Sequence, residues 1–554
     1  LWGYGWVGQA LLDGQLPFHE APVGHPVGQS WWIIDLPVAL LVAPLVRLQP
    51  ALGFNLAFLI HVVLGAAGCT VWLRRRGADP VVAVAAAVLV ACSPFVRGAV
   101  TSGVPEALVV LLVPWLLVLM EAGLRGRRSA LVGAVALAFV MGLDGAYGPL
   151  IGGVAGALAL FEAVLERWEP KRVLRALPVA LSGLASVVLA RWALVASNHP
   201  ALASASSRME LPRTGPWVHT IIGGADLASF WTPGFLLPEV QTVTGHRHAV
   251  FIGLVLTVAA VVAAWRHPRV RGLALFGAGV LVLALGPELR IWGELRGLPL
   301  PGALIWKLGA TNLYRFAGLV PLALAACIAI AWRRRLALPL LLLAFGEGLF
   351  TSSLPVRLPS FEDAAGPVEA WLAAQPSGAV LDLPLDHEGQ DNRGAFAQRT
   401  FGLQATHHKP VASALYLTSP AVRLHHSIAE LDQAVHRAWQ TGTRTPRNVP
   451  MPPESRRRAI PPSPGGDQAL LLEALLWRDG YRYVVLDVEA VHPDQRDEAS
   501  DWMAGWLGEP TVSEGMRSAW ILPESPEVPE GLAEPPPRDQ PRRERKRGKP
   551  PPTP

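Results

Sequence analysis

Apolar stretches of membrane-spanning length recur from Trp31 to Ser353, and arginine clusters close every second gap between them. A helix needs about 20 mostly apolar residues to cross a bilayer. After Ser353 the pattern stops, and a polar segment without cysteine runs to Pro554. A chain of this kind is a polytopic membrane protein with a C-terminal soluble domain, and its chemistry belongs at a membrane face.

Composition agrees, because 51% hydrophobic and 16% charged residues with a mean hydropathy of +0.33 lie far from a soluble average. The formal charge of +5 says little by its sign. The positions of the arginines say more, since cytoplasmic loops hold an excess of Lys and Arg. Cys69, Cys92 and Cys327 all fall in apolar stretches, where an inert buried thiol is the usual role. The chain opens at Leu1 on an aromatic, loop-like segment with no signal peptide or spanning helix before it. The expectation is that a transmembrane helix and the start of the first external loop precede Leu1.

The candidate spans are 51–73, 79–94, 104–124, 129–142, 146–165, 173–196, 248–265, 272–287, 313–332 and 336–353. Arg74, Arg75 and Arg76 follow the first, and Arg125, Arg127 and Arg128 follow the third. Lys171, Arg172 and Arg175 open the sixth; Arg266, Arg269 and Arg271 separate the seventh and eighth; Arg333, Arg334 and Arg335 follow the ninth. Threaded in order, every cluster lands on one side, which is assigned to the cytoplasm. The other side receives residues 1–50, the short loop 95–103, the turn around Asp144, the long loop 197–247, the loop 288–312 and everything after Ser353. The stretch 31–48 has two readings, a span or a juxtamembrane helix at the outer interface anchored by Trp31 and Trp32. Asp35, Pro37 and Pro44 make it a poor lipid-facing helix, and spanning would reverse the alternation, so the second is preferred.

In the soluble part, 366–374 and 468–479 have helical periodicity, while Ala379–Pro384 and Tyr481–Asp487 read as strands. Their alternation indicates a small α/β domain over 354–522, with an exposed Pro/Arg-rich insertion at 441–465. From 523 to 554 the chain is a basic, proline-rich tail that cannot bury a core.

No phosphate-cradling Gly-Lys-Ser/Thr loop, His-Glu-x-x-His or paired Cys-x-x-Cys is present. The candidates are therefore polar residues on the outer face, where a carboxylate is costly to desolvate. Glu106 is the sharpest, at the head of the helix 104–124; a plain helix-dipole role after Pro105 is its alternative. Asp13, Glu20, His25 and Asp35 lie in the N-terminal external segment, although Asp13-Gly14 is also an ordinary turn. Asp144 is equally ambiguous. The long loop carries His199, His219, Asp226, Glu239, His246, Arg247 and His248, with no spaced carboxylate to complete a metal-ligand set beside His246-Arg-His248. Tyr314-Arg315 offers a guanidinium fork for phosphate at the outer end of a span, with interfacial snorkelling as the alternative.

The segment Tyr4-Gly-Trp6 to Leu11-Leu-Asp-Gly-Gln-Leu-Pro-Phe18, with His25-Pro26 and Trp31-Trp32, resembles the first external loop of the GT-C class of membrane glycosyltransferases. The short second loop, the long loop and a C-terminal outer domain complete that plan. The resemblance implies a mainly α, polytopic helical membrane bundle of GT-C type with about ten to eleven helices and a small α/β extracytoplasmic C-terminal domain. The class takes a sugar from a polyprenyl-phosphate carrier on the non-cytoplasmic face. A glycan or lipid acceptor is implied, along with a cell-membrane location. No nucleotide is required because the carrier phosphate is itself the leaving group; no cofactor is called for, with a divalent metal left as an open alternative, and no nucleic-acid partner is expected. The leading catalytic aspartate of the class would fall before Leu1. Glu106 occupies the second-loop position where a further acid lies, and Asp35 and Asp13 are the other catalytic candidates. His25 stands where a lysine is common in the class and is by that resemblance a candidate for the phosphate, as are Arg315 with Tyr314, and Arg97 or Arg247. A lipid-carrier or polysaccharide transport or assembly protein is the alternative, distinguished by ionisable residues at mid-bilayer depth; the spans hold few besides Glu347 and Arg191.

Overall fold

A computed structural model of the chain describes residues 2–14, 19–20, 25, 29–30, 35–101, 104–143, 174, 176–196, 224–233, 250–292, 294–307, 313–351, 366–384, 403–404, 406–412, 428, 431, 460–491 and 495–524. The opening segment is not a loop: Trp2–Leu12 forms a helix, α1. Tyr4, Val7 and Ala10 recur at helical spacing and are buried, and this stripe packs on α2 (Leu36–Leu48) through Ala39, Val42 and Val46. Between them the short strands β1 (His19–Glu20) and β2 (Gln29–Ser30) pair antiparallel. With 13 residues, α2 is about 20 Å long, too short for the hydrocarbon core. It lies against α1 and α3 (Pro50–Arg75) through Phe54 and Ala57, as the juxtamembrane reading expects. Trp31 and Trp32 lie outside the described residues.

The bundle continues with α4 (Pro80–Ala91), α5 (Pro94–Thr101), α6 (Val113–Leu124) and α7 (Arg128–Gly142). It is completed by α8 (Leu177–Ala196), α9 (Leu254–Arg266), α10 (Arg271–Ala284), the short α11 (Gly302–Lys307), α12 (Leu319–Ala331) and α13 (Arg334–Thr351). Each candidate span is therefore helical except 146–165, which lies outside the described residues. Among the described residues, four stretches are long and apolar enough to cross a membrane: Leu52–Arg75, Pro80–Thr101, Pro105–Leu124 and Leu313–Ala331. The expected ten to eleven crossings are thus not reached among the described residues. The span 79–94 gains its length from α5, past a break at Cys92 and Ser93. In the loop 288–312, β3 (Glu288–Ile291) and β4 (Glu294–Pro299) form a hairpin that the sequence did not announce.

The arginine clusters gather at one end of the bundle. Arg76 pairs with Glu121 at 2.7 Å, and Arg75 donates to the Val118 carbonyl, which joins the end of α3 to the end of α6. Arg269 donates to the Ile330 carbonyl, and Arg266 lies over the Trp332 ring, which joins the α9–α10 turn to the end of α12. At the other end, Leu89 to Pro94, Phe251 to Leu256, Pro321 and Ala344 to Gly348 surround one cleft. Because α4 starts beside the Arg74–Arg76 turn and finishes at this cleft, both groups of clusters share the end away from it. Lys171, Arg172 and Arg175 lie outside the described residues.

The C-terminal domain has a four-stranded sheet in the order β5-β6-β8-β7, built from β5 (Ala379–Leu383), β6 (Tyr481–Asp487), β7 (Val512–Glu514) and β8 (Arg517–Ile521). Strands β5 and β6 are parallel and the other pairs antiparallel. Helices α14 (Pro367–Ala374), α15 (Asp467–Arg478) and α16 (Arg496–Leu507) cover it. Both strands and both helices expected from the sequence are present. The sequence reading passed over α16, although Ala499, Trp502, Met503 and Trp506 form an apolar stripe and are buried.

Gly318 marks a close approach: a Cβ there would meet Phe95 Cε1 at 2.6 Å and Val110 Cγ2 at 2.9 Å. Gly318→Val is expected to lower stability by about 1–3 kcal/mol through overpacking. Thermal unfolding in detergent checks this against Gly279→Ala, whose added Cβ would meet nothing within 4 Å.

Candidate active site

Two helices enter the bundle through stretches of 3-10 geometry. The first, Pro105–Leu112, precedes α6, and the second, Leu313–Gly318, precedes α12. Runs of this geometry beyond three or four residues are uncommon, and inside a longer helix they often mark a functional hinge. Each carries one of the candidate residues. Glu106 Oε1 accepts from Arg315 Nη2 at 3.1 Å across the junction of the two segments. Arg315 Nε donates to the Tyr314 hydroxyl at 3.2 Å. Tyr314 and Arg315 are both buried, so the guanidinium is held between a carboxylate and a phenol in a nearly dry setting.

Helix α3 closes the site from the side. Gly65 permits it to lie against the first 3-10 segment, since a Cβ there would meet Leu111 Cβ at 2.6 Å. One turn earlier, His61 is fully buried. Its Nδ1–H donates to the Ala57 carbonyl at 2.9 Å, and its Nε2 lies 3.4 Å from Asp35 Oδ1. Asp35 Oδ2 accepts from the Tyr4 hydroxyl at 2.5 Å. Asp35 adopts left-handed φ 66° and ψ 33° at the start of α2, a region where Asp is among the few side chains tolerated. Glu106 interacts electrostatically with both His61 and Asp35. Asp35, His61, Glu106 and Arg315, drawn from four separate parts of the chain, thus come within electrostatic reach of one another.

Four of the sequence candidates, Asp35, Glu106, Tyr314 and Arg315, are therefore brought together. Arg97 reaches a different place, where its Nη1 donates to the Gly348 carbonyl at 3.3 Å. Asp13 is exposed at the end of α1 and accepts from Gln9. Arg247 lies outside the described residues, as do Asp144, His199, His219, Glu239, His246 and His248. Asp226 accepts from the backbone N–H groups of Ala228 and Trp292, tying the end of the long loop to the β3–β4 turn. Among the described residues no group of three or more His, Cys, Asp or Glu could hold a metal ion. Sequence reasoning missed His61 and Tyr4. A lone imidazole in a 26-residue apolar helix was the available signal for His61.

His25 is placed against the C-terminal domain. Its Nε2–H donates to the Asp479 carbonyl at 2.6 Å, and its backbone N–H to the Val411 carbonyl at 3.0 Å. Its carbonyl accepts from the Tyr481 hydroxyl at 2.6 Å, and its ring meets the Tyr481 ring edge-on. The N-terminal segment is thus fastened to the C-terminal domain. Trp6 adds to this by packing on the Val368, Leu372 and Tyr483 cluster as well as on the α1–α2 cluster. Burial holds the His25 pKa below the ordinary 6.5, with the Asp479 carbonyl and carboxylate opposing in part.

No family model matches the sequence, and no curated protein matches it. The structural neighbours are glycosyltransferases. The chain is similar to the Archaeoglobus fulgidus oligosaccharyltransferase, solved with a tethered acceptor peptide containing the NVT sequon, at 12% identity and a TM-score of 0.45, covering 92% of this chain and 67% of that one. It is also similar to the arabinofuranosyltransferase AftD from Mycobacteria, at 16% identity and a TM-score of 0.45, covering 91% of this chain and 36% of that one. The chain therefore spans about a third of the arabinofuranosyltransferase.

The lowered His25 pKa sets a pH dependence for docking. Undocked, His25 titrates at its ordinary value of 6.5, so between that value and the lowered one the undocked state binds more protons. Docking is therefore firm above pH 6.5 and weakens as the pH falls through that window. Hydrogen exchange along Trp2–Leu12 should lose protection between about pH 7.5 and pH 5.5. His25→Gln should lose that pH dependence.

Proposed function

We propose that this chain is a membrane glycosyltransferase of the GT-C class, moving a sugar from a polyprenyl-phosphate carrier to a glycan or lipid acceptor on the non-cytoplasmic face. The observation that carries the proposal is the Glu106–Arg315 ion pair. It lies at the mouth of two 3-10 segments, away from the bundle end where the arginine clusters gather. The excess of Lys and Arg supports a cytoplasmic assignment for that other end.

The chemistry follows from the partners. Glu106 takes the proton of the acceptor hydroxyl as the acceptor oxygen bonds to the anomeric carbon. The bond from that carbon to the carrier oxygen breaks, and its electron pair leaves with the carrier phosphate. Arg315 neutralises the departing phosphate, for which a guanidinium fork is well matched. Arrival of the phosphate also competes with Glu106 for Arg315. Donor binding thus loosens Glu106 from its cation and strengthens it as a base. No step in this scheme passes through a metal ion or a cofactor.

The transport reading asks for ionisable groups available at depth. Among the described helices, Glu121 is paired with Arg76 and accepts from Trp72 Nε1 at 2.8 Å. Glu347 accepts from the backbone N–H groups of Leu254 and Val255, capping α9. Both carboxylates hold helices together, which favours catalysis over conduction.

Reconstituted in liposomes with a panel of polyprenyl-phosphate sugars and glycan or lipid acceptors, the full chain should transfer sugar. Glu106→Gln and Arg315→Ala should each reduce transfer by about 100-fold or more, with membrane insertion retained. Unchanged transfer in both variants would overturn the assignment.

A further inference from the structure

We infer that His61 is a buried imidazolium that positions both carboxylates of the site, standing between Asp35 and Glu106 as the cation that completes a neutral row of four charges. Three observations carry this. First, the ring orientation is fixed: Nδ1 faces the Ala57 carbonyl, which can only accept, so Nδ1 holds a proton in either charge state of the ring. Second, Nε2 faces Asp35 Oδ1 at 3.4 Å. A bare Nε2 lone pair would confront carboxylate lone pairs there, and the contact is favourable only with a proton between them.

The third observation decides where that proton rests. The Tyr4 hydroxyl donates to Asp35 Oδ2 at 2.5 Å, which leaves Oδ1 as the oxygen that faces the imidazole. Glu106, on the neighbouring 3-10 segment, lies within electrostatic reach of the same ring. Asp35 is 1% exposed and His61 fully buried, a setting in which a single unpaired charge would cost several kcal/mol. With His61 charged, negative and positive groups alternate from Asp35 through His61 and Glu106 to Arg315, and none lacks a counter-charge. Tyr4, Asp35, Glu106 and Arg315 are the ionisable groups that face this row from α1, α2 and the two 3-10 segments.

The role in catalysis rests on the glycosyl-transfer reading; the charge state does not. His61 touches neither sugar nor phosphate in this scheme. It holds Asp35 through the Nε2 contact and sets a positive charge near Glu106 when Arg315 turns to the phosphate.

The test is nitrogen-15 histidine NMR on the full chain in liposomes at pH 7.5, with the His61 signal assigned by its loss in His61→Asn. Two protonated ring nitrogens at His61 are expected in the wild type, and one in Asp35→Asn. A neutral ring in the wild type would overturn the inference, whatever becomes of the transfer assay. In that assay, His61→Gln should lower kcat at least tenfold while changing KM for the carrier sugar less than twofold. The Asp35→Asn/His61→Gln pair should lose no more than the worse single variant, because the residues act as one unit. Multiplying losses would sink the positioning role.

Discussion

A charge inside an apolar bundle must find an opposite charge or a full set of hydrogen bonds, and the polar architecture of this protein follows from that need. Glu121 sits against Arg76 and Trp72, and Glu347 against the first N–H groups of α9. Arg315 bridges Glu106 and Tyr314. Asp35 lies between Tyr4 and His61. The first two arrangements join helices. The last two lie within electrostatic reach of one another and make up the candidate site.

Close backbone approach makes that meeting possible. Gly65 brings α3 against the segment carrying Glu106, and Gly318 brings the segment carrying Arg315 against Phe95 and Val110. The 3-10 geometry of both segments places their side chains differently from a regular α-helix, in which residues three and four apart share a face. Helices α1 and α2 then cover the assembly and deliver Asp35 from a left-handed start.

The C-terminal domain takes part in the same arrangement. It grips the N-terminal segment through His25 and Trp6, and Trp6 lies two residues from the Tyr4 that holds Asp35. A line of contacts therefore runs from the sheet of the outer domain to the buried carboxylate. This explains why a residue read from the sequence as a phosphate ligand is fastened instead to Asp479, Val411 and Tyr481.

Helical spans, the arginine-lined end and the elements around Ala379–Leu383 and Tyr481–Asp487 were legible in the sequence. Each depends on local periodicity, or on charge counted along the chain. Glu106 and Tyr314-Arg315 were legible as candidates because a polar residue at the edge of an apolar stretch stands out. The helix at Trp2–Leu12 was not, since its buried stripe matters only once α2 lies beside it. Tyr4 was invisible for the same reason, while the lone imidazole of His61 in an apolar helix was a signal left unread. The sequence alone thus determined a membrane bundle with its polar candidates at one face, because hydrophobicity and length decide what can cross a bilayer. Only the tertiary structure decided which candidates meet. Residues 4, 35, 61, 106 and 315 are joined by packing and by electrostatic pairing in a low-dielectric interior, and neither leaves a period in the chain.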